Sequence, residues 1–274
     1  MELLNAILLG IIQGITEFLP ISSDGHLFIG QMLLGVEQSD PHQALLFTAV
    51  LHAATTLSII VVFWKDIVEI LRDLLKFQWN ENTQFSAWVL ISMIPAGIVG
   101  ILLKDYIEPL HQPTYGNLIL TGFMLALTGL LLFASSRIQA SSGALNPWKA
   151  FVIGIFQAAA MLPGLSRSGS TISTSLALGI DRAKATRFSF LMVVPVILGG
   201  TLLELKDYFE SPAAQAAQLF SPLEMGAGFV TAFLFGLLAC RWMIALVRRS
   251  KLDYFAWYCV AIGLVAIVAG FILL

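Results

Sequence analysis

Long apolar runs alternate with short polar breaks along the chain, and the runs come in two sizes. Six are long enough to cross a hydrocarbon core, which takes roughly 17–25 helical residues: Phe47 to Trp64, Phe85 to Leu103, Tyr115 to Phe133, Phe188 to Leu205, Ala227 to Val247 and Phe255 to Leu274. Trp64, Trp88, Trp242 and Trp257 lie near span ends, where an interfacial aromatic belt is expected. Four pieces are shorter: Leu3 to Phe18, His26 to Leu34, Trp148 to Leu162 and Ser170 to Leu178. They fall into two consecutive pairs, each split by proline and small polar residues. Such a pair reads as a broken helix that enters the membrane, turns and leaves by the same side. Irregular backbone at that depth is tolerated only where protein or a water-filled cavity satisfies it, so a cavity is expected at both breaks. The competing reading, two plain spans kinked at Pro20 and Pro163, does not account for the polar residues clustered there.

The two breaks resemble each other. Gly10, Ile11, Gln13, Ser22 and Gly25 recur as Gly154, Ile155, Gln157, Ser166 and Gly169, each 144 positions later without a gap. Each half then holds one broken pair and three full spans. Three is odd, so the second copy is expected upside down relative to the first, with residues 1–140 and 147–274 as the two repeats of a single membrane domain. Basic residues test this, because they concentrate in short cytoplasmic loops. With Lys65, Arg72 and Lys76 inside, alternation puts Arg137 and Lys149, then Arg182, Lys184 and Arg187, then Arg248, Arg249 and Lys251 on the same side. The loops left outside, around Lys104 and Lys206, carry one lysine each beside acids. Both termini then face outward, and the broken pairs enter from opposite sides with their tips near the midplane, where inverted-repeat proteins place binding sites. The expected fold is an all-α integral membrane protein of six transmembrane helices plus two re-entrant broken-helix pairs, arranged as an inverted-topology repeat.

Composition narrows the classes. Hydrophobic residues make up 58% and charged residues 12% of 274, against about 25% charged in soluble domains. A net charge of −2 offers no basic surface for nucleic acid. Cys240 and Cys259 lie in apolar stretches and read as packing residues. The N-terminal MELLNAILLG lacks a basic stretch and a small-residue cleavage site, and is expected to belong to the mature fold.

The candidate chemistry sits at the breaks. Gln13 and Glu17, four apart, share a helix face; Pro20 ends that helix, Ser22, Ser23 or Asp24 caps the next, and His26 begins it. The second break, LPGLSRSGSTIS, places Pro163 and Gly164 before Ser166, Arg167, Ser168, Gly169 and Thr171. Two helix N-termini thus point at one place, each offering unpaired N–H groups and a partial positive charge suited to an anion. Arg167 adds a planar fork of donors that matches phosphate oxygens in pairs. Phosphate is therefore the expected ligand. Glu17 beside a phosphate makes sense if it shares a divalent cation with it or takes a proton from a neighbour. His26, in the company of Glu17, Ser22 and Ser23, is a candidate nucleophile, acid or base. Intramembrane ionisable residues are expensive, so Glu17 and Arg167 start from a functional reading, with a structural salt bridge as its rival. His52, in a full span without such neighbours, reads as structural, and Arg241 as a snorkelling side chain.

These residues resemble the bacterial undecaprenyl-diphosphate phosphatases linked to bacitracin resistance. The family's acidic motif, Glu or Gln followed four residues later by Glu, is similar to Gln13 and Glu17 in QGITEFLP; its serine-to-histidine stretch is similar to SSDGH, Ser22 to His26. Its Pro-Gly-x-Ser-Arg-Ser-x-x-Thr signature matches Pro163 to Thr171 throughout. The resemblance implies hydrolysis of a polyprenyl diphosphate to the monophosphate plus phosphate, at the outer (periplasmic) face of the bacterial plasma membrane, with Mg²⁺ or Ca²⁺. This recycles the lipid carrier of cell-wall synthesis, and bacitracin competes for the substrate. It further implies catalytic roles for Glu17, Ser23, His26 and Arg167, and phosphate binding by Ser22, Ser166, Arg167, Ser168, Gly169 and Thr171. The metal would rest on Glu17, with Gln13 at the first acidic position. Two departures stand out. Gln13 carries no charge for a metal, and Asp24 replaces a frequent threonine, as a second carboxylate or a cap. Membrane lipids surround such a protein, and a homodimer stays open. The competing class is a polyprenyl-phosphate transporter or flippase, which shares the inverted-repeat architecture but has no need of a serine and a histidine beside the arginine. A sequestering protein that binds diphosphate lipids without hydrolysis is a third.

Overall fold

The structure, a computed structural model, describes residues 3–36, 41–112, 114–139, 141–210, 221–248 and 251–274; Arg249 lies outside them. Among the described residues the secondary structure is helical apart from one bridge between Gly143 and Ile180. The first half runs α1 (Leu3–Thr16), α2 (Ser23–Leu33), α3 (Pro41–Val62), α4 (Trp64–Leu75), α5 (Glu81–Leu102), α6 (Lys104–Ile107), a 3-10 turn at Glu108–His111, and α7 (Tyr115–Ser136). The second runs α8 (Pro147–Ala159), α9 (Arg167–Ala177), α10 (Arg182–Glu210), α11 (Pro222–Arg248) and α12 (Asp253–Leu273).

The six expected spans are α3, α5, α7, α10, α11 and α12, and the four short pieces are α1, α2, α8 and α9. Five of the spans are long and apolar enough to cross on their own. The sixth, α3, has 22 residues, about 33 Å at 1.5 Å per residue, and turns by 79° into α4. The apolar run reaches Trp64, but the structure breaks the helix at Phe63 and starts a new one that carries Lys65 and Arg72. Its Trp64, Leu71, Leu74 and Leu75 are exposed, while Ile67 and Ile70 pack on the core. Helical spacing of apolar residues among Lys65, Asp66, Glu69, Arg72 and Asp73 describes a helix lying along an interface rather than crossing it. Arg187 Nε donates to Asp66 at 2.6 Å and its guanidinium lies 4.7 Å over the Phe85 ring, tying α4 to α10 and α5. Lys76 and Asn82 both donate to Asp73 and hold its carboxyl below the usual carboxylate range.

The 144-residue offset survives in three dimensions. Helix α2 starts at Ser23 and α9 at Arg167, both have 11 residues, and each is capped by the serine before it: Ser22 accepts from Gly25 N–H at 3.3 Å, Ser166 from Gly169 N–H at 3.0 Å. The halves interlock reciprocally. Helix α1 packs along α11 and α8 along α5, while α3 meets α10 and α7 meets α12. That exchange of partners is consistent with an inverted repeat. Close approach depends on small residues, as expected where lipid offers no hydrophobic drive between helices: a Cβ on Gly122 of α7 would lie 2.7 Å from the Gly263 carbonyl of α12.

Both breaks are buried in protein. Phe18, Leu19 and Ile21 belong to the main core with Ile172, Leu176 and Phe190. The freed backbone is satisfied there: Leu19 C=O accepts from Ile21 N–H at 2.8 Å and from Ser168 Oγ at 3.2 Å. This is the condition under which non-helical chain survives at membrane depth.

Candidate active site

The two breaks meet. A Cβ on Gly25 would lie 3.2 Å from Gly164 Cα, and one on Gly169 3.3 Å from the Pro20 carbonyl. Gly164 is required twice over: its φ is +92°, a left-handed conformation that side chains resist, and an added Cβ would overlap the Thr121 carbonyl of α7. Its own C=O accepts from Thr128 Oγ1 at 3.1 Å, and Thr128 Oγ1 in turn accepts from Ser166 N–H at 2.9 Å. The second tip is thus pinned to α7 on both sides. Gly164→Ala is expected to lose at least the ~1–3 kcal/mol of the strained backbone alone, read as a lower unfolding temperature in detergent; an unchanged temperature would contradict this placement.

Glu17 lies just past the last turn of α1, its N–H bonded to Gln13 C=O at 3.0 Å, and is 5% exposed. A charge so buried needs partners, and among the described residues three side chains donate hydrogen bonds to it. Gln13 Nε2 donates to Oε2 at 3.0 Å, Ser23 Oγ donates to the same oxygen at 2.7 Å, and the Arg167 guanidinium pairs with Oε1. Residues 150 positions apart thereby share one carboxylate. Ser22, which caps α2, has a φ of +69°, a strained conformation of the kind that gathers at functional sites.

A cavity of about 570 Å³ opens over this group. Its inner end is lined by Glu17, Ser22, Ser23, Asp24, Ser166, Arg167 and Ser168. Its lining extends to Lys104 and His111, and its flanks are apolar, from Met93 to Ile101 on α5 and Pro195 to Leu203 on α10. A charged end and a greasy flank suit a phosphorylated lipid better than a small polar ion.

Most of the residues singled out from the sequence converge here, and three face elsewhere. His26 is not among the residues lining the cavity. Its Nδ1 bonds the Ser22 carbonyl at 2.8 Å and its Nε2 the Tyr258 hydroxyl at 2.8 Å, with the two rings stacked 5.6 Å apart. Thr171 also turns inward, donating to the Arg167 carbonyl at 2.9 Å and meeting Ser189 Oγ at 2.6 Å, so that it braces the start of α9. Gly169 supplies the N–H that Ser166 caps. Conversely, His52 of α3, which the pattern gave no functional reading, is a wall residue: its Nε2 lies 3.6 Å from Asp24 Oδ1 and 3.9 Å from Glu17 Oε2. Lys104, His111 and Gln157 join the wall likewise. Helix packing brings Lys104 and His111 there with no spacing along the chain to signal it, whereas Gln157 is the counterpart of Gln13 in the 144-residue offset.

Among the described residues no three His, Cys, Asp or Glu side chains are grouped to hold a metal ion. One buried acceptor beside Glu17 has no hydrogen-bond partner there, Gln13 Oε1. A carboxylate and an amide oxygen fit a hard cation that takes its remaining ligands from phosphate and water, the usual habit of Mg²⁺.

Fold and site together define a polytopic helical membrane protein with an arginine, a buried carboxylate and several serines gathered in a cavity between two helix breaks. The model of the bacitracin resistance protein BacA family matches residues 6–265, and the chain belongs to that family. It is 52% identical to the undecaprenyl-diphosphatase of Christiangramia forsetii, over 99% of both chains. It is 47% identical to the one of Bacteroides fragilis, over 98% of this chain and 99% of the relative, and 36% identical over the full length of both to the one of Methanosphaera stadtmanae.

Proposed function

We propose that the protein hydrolyses undecaprenyl diphosphate to undecaprenyl phosphate and inorganic phosphate. The observation that carries this is the Ser23 hydroxyl, held 2.7 Å from a buried carboxylate that also meets Arg167 at a helix N-terminus. A transporter needs the anion-binding groups but not that pair, so the reading favours an enzyme. The names of the curated relatives point the same way.

In the reaction, the diphosphate enters the polar end of the cavity while the prenyl chain lies along α5 and α10. Arg167 and the N–H groups opening α9 receive the terminal phosphate, with Ser166 and Ser168 beside it. Ser23 Oγ bonds to the terminal phosphorus as its proton passes to Glu17. The bond from that phosphorus to the bridging oxygen breaks, and the monophosphate lipid leaves with the oxygen. Water then cleaves the phosphoserine and restores the serine. A divalent cation would be held by Glu17 and Gln13 Oε1, and when bound supplies positive charge to the phosphate oxygens. His26, with both ring nitrogens engaged, acts as a positioning residue: it fixes the Ser22 carbonyl, and with it the start of α2. Residues 1–140 and 147–274 act as inverted repeats, each supplying one tip.

The cavity runs toward Lys104, His111 and Leu203, ends that the distribution of basic residues assigns to the outside of the plasma membrane. Lipid diphosphate released there by cell-wall synthesis reaches the site directly, and bacitracin competes for it.

Acid quenching during turnover of a substrate labelled in the terminal phosphate is expected to trap the label on Ser23. Ser23→Ala is expected to lose both label and turnover, the latter by at least ~10³-fold. A variant without Ser23 that still turns over normally would assign the attack to water.

A further inference from the structure

Gln157 lies in the last turn of α8 as Gln13 lies in the last turn of α1, one repeat earlier. Gln13 is fully buried and gives its Nε2 to Glu17. The residue 144 positions after Glu17 is Met161, whose side chain offers no carboxylate. Gln157 is 3% exposed and lines the same cavity as Ser166 and Arg167, and among the described residues neither its Nε2 nor its Oε1 has a hydrogen-bond partner. A buried amide left wholly unsatisfied destabilises a fold, and an apolar residue of the same shape would pack this wall better. The expense is explained if the missing acceptor arrives with the ligand.

Resting on the phosphatase reading, we infer that Gln157 is a substrate-binding residue whose Nε2 donates to a phosphate oxygen of the bound diphosphate. The repeat thus uses the same amide twice: in the first half it holds the protein's own carboxylate, and in the second the substrate's anion. A neutral donor suits this place, because Arg167 already supplies the positive charge and Oε1 stays open to a water or a protonated phosphate oxygen.

The test compares full-length wild type, Gln157→Met and Gln157→Glu in detergent. It measures farnesyl diphosphate hydrolysis and the rise in unfolding temperature caused by inorganic pyrophosphate. Gln157→Met is expected to unfold at the same or a higher temperature than wild type, since it removes an unsatisfied amide. Its kcat/KM is expected to fall roughly 10- to 100-fold, the value of one charge-assisted hydrogen bond, and its pyrophosphate shift to shrink. Gln157→Glu, with a carboxylate against the phosphates, is expected to lose more. Wild-type kcat/KM and pyrophosphate shift in Gln157→Met would overturn the inference, as would activity lost only in step with a lower unfolding temperature. Wild type that binds pyrophosphate but releases no phosphate would defeat the phosphatase reading alone, and the shift would still judge Gln157. No pyrophosphate shift in wild type would overturn the inference.

Discussion

Arg167→Lys is expected to lower kcat/KM by about 10²-fold or more while leaving the protein folded, even though the charge is kept. Removing one preorganised donor from a site where negative charge develops is worth that much. Lysine presents a point charge where arginine presents a planar fork. One arm of the fork meets Glu17 Oε1, and Thr171 braces the Arg167 carbonyl from behind, so the side chain starts from a fixed base. Lysine still neutralises Glu17, which is why folding should survive; an alanine there would leave a buried carboxylate without its cation, a loss of about 3–5 kcal/mol. Near-normal turnover by Arg167→Lys would show that a diffuse positive charge suffices and that the fork has no part in the reaction.

Glu17→Gln is expected to be harsher, with kcat falling roughly 10²- to 10⁴-fold, the range for losing a positioned base. The substitution keeps the size of the side chain and a hydrogen bond to Ser23, so its readout is chemical more than structural. Three donors converge on this carboxylate, and an amide, which must itself donate with one arm, cannot accept from all of them. KM is expected to change far less than kcat. An equal fall in both kcat and the fraction of folded protein would point to a structural carboxylate.

The spans and breaks were legible in the sequence because both are local: apolar runs of the right length, and a serine-capped restart after Pro20 and Pro163. The ungapped 144-residue offset placed the starts of α2 and α9 on equivalent residues. Helix α4 was missed because its apolar residues continue the run of α3 in composition while changing in period, and a count of span lengths does not see the change. The site was legible on its inner side, where Glu17, Ser23, Ser166 and Arg167 fall within the two motifs. Its outer wall was not. His52, Lys104 and His111 sit in segments with no chemical pattern of their own, and the packing of α3 and α5 around the breaks carries them in. The direction of His26 was equally hidden, since it depends on the rotation of α2 against Tyr258, a residue 232 positions away.

The most direct measurement is phosphate release from undecaprenyl diphosphate by the purified protein, with and without EDTA, alongside Arg167→Lys and Glu17→Gln. Cation-dependent release by wild type, lost in both variants, is the expected result and would place the chemistry where the two breaks meet. Tight binding of the lipid without release of phosphate would contradict it, and would make the site one for carrying or sequestering the lipid.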